Sequence, residues 1–254
     1  MLRYVLASCH NMTRRLFLLI LTLITVIGLF LRITDYSIVP PQNEAYDEVH
    51  YAWGGLTWLK EGTPRSWSYF DSYKNNFYIE RFGTSWKIVW PLIEKPPLYF
   101  LASGVSLLPF TGADIYSVSH TFIRLLPILL SVFTLVLTGL VGAKVFSEEV
   151  GLISAALYAT IPTVVLANRL SVTENLLTPI SLLALYLMLT ENNSKKISSA
   201  VVVGFLSALA LLTKQIGIFV GICAFIFYFY QNMYKKSVVA VSFSTIGVIL
   251  FFAF

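Results

Sequence analysis

Repeated long runs of uncharged apolar residues decide what this chain can fold into. Residues 16–33 carry no charge until Arg32 and follow Arg14-Arg15; comparable runs occupy 125–145, 151–166, 176–189, 200–212, 216–230 and 238–254. A spanning helix wants about 20 such residues, so the shorter runs need flanking Thr, Asn or Lys to complete a crossing. Lipid offers no partner for backbone N–H and C=O groups, which leaves the helix as the element these runs can form. The expectation is an all-α, polytopic membrane protein with about seven transmembrane helices. Composition agrees: 57% of the 254 residues are hydrophobic and 12% charged, roughly half the charge of a soluble domain. Too little polar surface exists for a water-soluble globule, and a disordered chain or disulfide scaffold is likewise excluded. The 18 Lys and Arg against 13 Asp and Glu form no basic stripe, which argues against a nucleic-acid partner. Cys9 and Cys223 fit no metal or disulfide spacing.

One stretch differs. Residues 34–94 hold eight of the thirteen acidic residues and all five tryptophans. A polar loop of that length in a chain that otherwise crosses lipid is usually functional, and Trp and Tyr settle at headgroup level. It reads as an interfacial lid of short helices. The first run, with its basic flank, resembles a signal peptide but is long for one and lacks a small-residue cleavage site, so it reads as a retained anchor. The layout is then a cytoplasmic N-terminus over 1–15, a first span over 16–33, an external loop with interfacial helices over 34–118, and a helical bundle over 119–254.

Sidedness decides which residues can meet. Lys and Arg mark cytoplasmic loops: here Arg3/Arg14/Arg15, Lys195/Lys196 and Lys235/Lys236. All three clusters fall on one side only if Pro97–Phe110 does not cross. Its 14 residues rise about 21 Å, short of the ~30 Å hydrocarbon core, so it reads as interfacial or half-inserted. The sequons at Asn11 and Asn192 then lie inside and are accidental. The noncytoplasmic connections gather Asp47, Glu48, His50, Glu94, Lys95, Arg169, Glu174 and Lys214.

Asp47, His50 and Tyr51 share one helical face at i, i+3 and i+4. A carboxylate there, with Glu44 and Glu48 close by, suits a general base or metal ligand, although acids in a first helical turn also simply complement the helix dipole. His50 taken singly reads as an interfacial histidine. In Glu94-Lys95-Pro96-Pro97-Leu98-Tyr99 the proline holds the preceding residue extended, presenting Lys95 as a fixed point charge for a phosphate, against a reading in which it snorkels from a helix end. Arg169 and Glu174 border apolar helices, where ionisable groups tend to be functional, or they close their loop as a pair. Lys214 is the lone charge between Lys196 and Lys235, on the side where lysine is disfavoured. Together these fit a substrate whose phosphate lies at headgroup level and whose tail lies in lipid. No Gly-rich phosphate loop for a nucleotide sugar exists.

The Asp47-Glu48-x-His50-Tyr51-Ala52 motif after the first span, Glu94-Lys95-Pro96-Pro97-Leu98-Tyr99, Arg124, residues 169–177 and Leu211-Leu212-Thr213-Lys214 resemble the GT-C membrane glycosyltransferases, nearest the protein O-mannosyltransferase and lipid A aminoarabinose transferase branch. The resemblance implies a polyprenyl- or dolichyl-phosphate-linked sugar as donor, a protein, glycan or lipid as acceptor, and inverting transfer on the noncytoplasmic face of the cell membrane. It implies that Asp47 is the catalytic carboxylate, with Glu174 at a second acidic position that is usually Asp. Lys95 and Lys214 would meet the donor phosphate. Glu48, His50, Glu94 and Arg169 complete the substrate-binding set, Glu94 standing where some relatives contact a divalent metal, which the chemistry does not itself require. Relatives carry further spans, so the chain reads as a C-terminally truncated member or fragment, or as a short variant. The alternative is a noncatalytic membrane protein: a lipid-phosphate binder, a transporter module or an inactive remnant.

Overall fold

A computed structural model describes residues 12–42, 45–191 and 197–253; Arg3, Glu44, Lys195, Lys196 and the sequons at Asn11 and Asn192 lie outside the described residues. Helix α1, Arg14–Ile33, starts two residues before the apolar run because the Thr13 hydroxyl accepts from the Leu16 N–H. Its outer side leaves Leu19 65% and Phe30 62% exposed, an apolar surface suited to lipid. Helix α2, Asp47–Glu61, ends where Gly62 takes a positive φ of 76°, and α3, Pro97–Leu107, opens on Pro97, whose fixed φ suits a first helical turn. The bundle continues as α4, Leu125–Val145; α5, Glu148–Thr160; α6, Pro162–Ala167; α7, Glu174–Leu189; α8, Ser198–Thr213; α9, Ile218–Tyr230; and α10, Tyr234–Ala253.

Among the described residues, three helices are long and apolar enough to cross a bilayer: α1, the segment His120–Val145 containing α4, and α10. The apolar helices Glu174–Leu189, Ser198–Thr213 and Gln215–Tyr230 are shorter. The run at 151–166, expected to be one span, is two helices. Pro162 has no N–H to donate and its ring clashes one turn back, so α5 stops at Thr160 and α6 restarts on the proline.

The lid contains the expected interfacial helix α2, but the rest of it is not the set of short helices the sequence led us to expect. Between α2 and α3 lies a three-stranded antiparallel sheet, β1 (Ser66–Trp67), β2 (Asn76–Arg81) and β3 (Thr84–Val89), in the order β1-β3-β2. Strands β2 and β3 form a hairpin with Arg81 opposite Thr84. Its two turn residues, Phe82 and Gly83, both have positive φ (52° and 72°), the conformation that matches strand twist across a two-residue turn. The turn drives the Phe82 ring against Trp53 and His120. Trp53, fully buried, anchors a lid core with Val49, Leu56, Trp86 and Ile88.

Helices α2 and α3 touch backbone to backbone. A Cβ on Gly55 would stand 2.0 Å from the Phe100 carbonyl oxygen, and one on Gly104 would stand 2.5 Å from the Gly55 carbonyl carbon. Only glycine permits that approach, and it fixes the start of α2 against the residues leading into α3. Those two segments carry Asp47 and Lys95.

Candidate functional site

Two acid–lysine pairs meet at one end of the bundle. Lys95 Nζ lies 2.7 Å from Asp47 Oδ1 and 4.8 Å from the centre of the Tyr51 ring. Lys95 therefore does not snorkel away; the Pro96-Pro97 backbone aims it at the first turn of α2. The second pair joins Glu174, at the head of α7, to Lys214, at the foot of α8, with the Thr173 hydroxyl donating to the other Glu174 oxygen at 3.1 Å. Tyr51 lies between them: its packing cluster takes in Leu176, two residues past Glu174, and burial first, then the charges of Asp47 and Glu174, push its hydroxyl above the usual phenol range. Asp47, Lys95, Glu174 and Lys214 keep 43%, 29%, 55% and 39% of their side-chain surface, so all four remain reachable.

The other predicted site residues face elsewhere. Glu48, expected to contact substrate, is fully buried. Both its carboxylate oxygens take the Arg124 guanidinium, Oε1 from Nε at 3.0 Å and Oε2 from Nη2 at 2.8 Å. The Ser171 N–H also donates to Oε1 at 3.1 Å. The remaining Arg124 donors reach the carbonyls of Tyr36, Pro40 and Pro41, so one arginine ties the chain after α1 to α2, α4 and the loop before α7. Arg169, 6% exposed, points away from Glu174 and donates to the carbonyls of Val39 and Leu31 at 2.9 and 2.7 Å; the loop-closing Arg169–Glu174 pair does not form. Glu94 turns from Lys95 toward the lid, accepting from the Ser68 hydroxyl.

His50 is 1% exposed. Its Nδ1 bonds the Trp67 carbonyl at 3.0 Å; a carbonyl only accepts, so Nδ1 carries the proton and donates. Nε2 has no partner among the described residues. Burial, reinforced by the Lys95 ammonium, lowers the imidazole to about 3. In the unfolded chain it titrates near 6.5. Below that pH the unfolded state takes up a proton the folded state refuses, so this contribution is complete above ~6.5 and is lost as pH falls toward 3. Thermal unfolding followed in detergent is expected at progressively lower temperature from pH 6.5 to 4, with His50→Gln flattening the trend. An unchanged slope in that variant would exonerate the histidine.

Sequence reasoning missed what holds the 168–175 loop. All five N–H donors of the fully buried Arg32 are used: on Asn168 Oδ1 and on the carbonyls of Gly28, Ala159 and Tyr158, at 2.8–3.3 Å. Asn168 donates in turn to Asn175 at 3.0 Å. The available signal was Arg32 itself, a charge within an apolar run, where a named partner should be sought. The Tyr99 hydroxyl, 3.1 Å from Ser171 Oγ, pins the same loop to α3. No group of three or more His, Cys, Asp or Glu side chains suited to a metal converges among the described residues.

An apolar groove of about 370 Å³ is lined by Leu177, Ser181 and Leu185 on one wall and Ile216, Phe219 and Cys223 on the other. It starts within three residues of both Glu174 and Lys214 and follows α7 and α9.

The family described as dolichyl-phosphate-mannose-protein mannosyltransferase matches residues 96–254, more than half of the chain. No curated protein matches it in sequence. The crystal structure of the Archaeoglobus fulgidus oligosaccharyltransferase in its apo form is similar in fold, with a TM-score of 0.61 at 15% identity. The alignment covers 95% of this chain, which spans 29% of that one.

Proposed function

The chain belongs to the dolichyl-phosphate-mannose-protein mannosyltransferase family, and from that premise we propose that it transfers a sugar from a polyprenyl- or dolichyl-phosphate donor to an acceptor on the noncytoplasmic face of the membrane. The observation that carries the proposal is the convergence of Asp47–Lys95 and Glu174–Lys214 around Tyr51, supported by an apolar groove whose lining starts at Leu177 and Ile216, within three residues of Glu174 and Lys214. A phosphate between the lysines would place its lipid tail in that groove and the anomeric carbon before Asp47.

In this reading Asp47 takes the proton of the acceptor nucleophile. The freed electron pair attacks the anomeric carbon from the face opposite the phosphate, the bond from that carbon to the phosphate oxygen breaks, and polyprenyl phosphate leaves with inversion. Lys95 and Lys214 stabilise the charge that grows on the departing phosphate, a contribution that is largest when the donors stand in place beforehand. Glu174 holds Lys214 and faces the sugar. Glu48 and Arg169 act indirectly, by fixing the loops that present these groups, and Glu94 with His50 binds the lid to them.

The test is donor binding and turnover by the protein in nanodiscs containing dolichyl-phosphate mannose. Saturable binding is expected, weakened about tenfold or more by Lys95→Ala or Lys214→Ala, together with slow release of mannose to water. Binding without turnover would favour a lipid-phosphate binder. Affinity untouched by both substitutions would remove the phosphate site.

A further inference from the structure

The external sheet carries a second concavity beside Asp47. It is about 240 Å³ and is lined by five aromatic residues, Tyr46, Trp67, Tyr69, Tyr78 and Trp86, of which Trp86 also packs into the lid core. Between the rings stand small hydroxyls and a cation, Ser85 and Lys87 among them, the ammonium 2.8 Å from Asp71. Tyr69 and Tyr78 are 76% and 66% exposed, so neither ring serves the lid core.

The cleft is built onto the helix that bears Asp47. Tyr46 immediately precedes that residue, and its carbonyl accepts from the Trp67 indole N–H at 3.1 Å. The Trp67 carbonyl accepts from His50, one turn along α2. Ser68, in the same wall, donates to Glu94, next to Lys95. Tyr46 and Trp86 meet edge to face with ring centres 5.1 Å apart. Strand β1 is thus clipped to the first turn of α2, and the cleft keeps a fixed position relative to the Asp47–Lys95 pair.

We propose that this aromatic cleft holds a saccharide, the non-reacting part of a carbohydrate acceptor whose hydroxyl reaches Asp47. Aromatic faces present an apolar plane for the C–H face of a pyranose, while the hydroxyls and Lys87 supply hydrogen bonds to its rim. The volume falls below the roughly 300–1,000 Å³ of sites for drug-sized ligands, which fits one terminal sugar ring. A peptide is the poorer match. Strand addition would run along one sheet edge, whereas this cleft takes residues from β1, β2 and β3. The inference rests on the transfer reading for the role of the bound sugar, but saccharide binding is measured independently of turnover.

The experiment is a titration of the detergent-solubilised protein with mannobiose, followed by tryptophan fluorescence, with a Ser/Thr-containing hexapeptide as the second probe. Mannobiose is expected to change the emission saturably in the millimolar range. Tyr78→Ala and Tyr69→Ala, at exposed positions outside the core, should each weaken binding about tenfold while the far-ultraviolet circular dichroism stays unchanged. Asp47→Asn should bind mannobiose as the parent does even where it transfers nothing, which separates the failure of this inference from the failure of the transfer reading. The proposal is overturned by no response to mannobiose, by a response that persists in both tyrosine variants, by saturable binding of the hexapeptide alone, or by tyrosine variants that lose only vesicle association, as headgroup-anchoring aromatics would.

Discussion

Asp47→Asn is expected to lower sugar transfer by about two to four orders of magnitude, the range that a positioned general base contributes, while the protein expresses and melts as before. The asymmetry comes from where Asp47 sits. Its side chain is 43% exposed and pairs with Lys95, and an exposed pair of this kind contributes ~0–1 kcal/mol to folding. Asn keeps the size and can still accept from Lys95, so the site keeps its shape and loses the group that accepts a proton. Donor affinity should change little, because the proposal assigns the phosphate to the lysines rather than to Asp47. The measurement is label transfer from dolichyl-phosphate mannose under single-turnover conditions, alongside thermal unfolding of both proteins. A variant retaining more than about a tenth of the parent rate would dismiss Asp47 as the base.

The helical frame was legible because lipid-crossing runs are written in uninterrupted stretches such as 16–33 and 125–145, and the structure turns both into helix. The presentation of Lys95 toward α2 was legible for a local reason: the prolines after it restrict the backbone wherever the rest of the fold goes. The hairpin was not. Its turn is Phe82-Gly83 rather than the Asn-Gly or Asp-Gly that announces such turns, and β2 alternates Phe77 and Ile79 inward against Tyr78 and Glu80 outward over only six residues. In a chain this rich in aromatics, so short an alternation does not stand out. The pairing of Glu174 with Lys214 rather than with Arg169 was beyond local reading too. Arg169 lies five residues from Glu174 in sequence, yet its donors are drawn off by the carbonyls of Leu31 and Val39, more than a hundred residues away.

Glu48 sets the sharpest limit on sequence reading, and its replacement should give the largest loss of stability. It neighbours Asp47, and the two are chemically alike, but one residue along a helix turns the side chain by about 100°. Asp47 therefore meets the open site while Glu48 meets Arg124 in the interior. Glu48→Ala would leave the guanidinium at 0% exposure without its counter-charge, which costs about 3–5 kcal/mol. For a chain of this length that corresponds to a melting temperature lower by on the order of 10 °C. Arg124 also holds the Tyr36 and Pro40 carbonyls, and the Ser171 N–H would lose its acceptor, so the variant should loosen the loop before α7 and lose Glu174 and Lys214 from register. Transfer then falls as a consequence of lost structure, with parallel loss of donor binding, in contrast to Asp47→Asn. Glu48→Leu combined with Arg124→Met should recover part of the stability, since a buried ion pair can be exchanged for apolar groups of similar volume, without restoring full activity, because the carbonyls of Tyr36 and Pro40 would still lack their donors. A Glu48→Ala protein that melts within a degree or two of the parent yet transfers nothing would return Glu48 to the substrate, where the sequence alone had placed it.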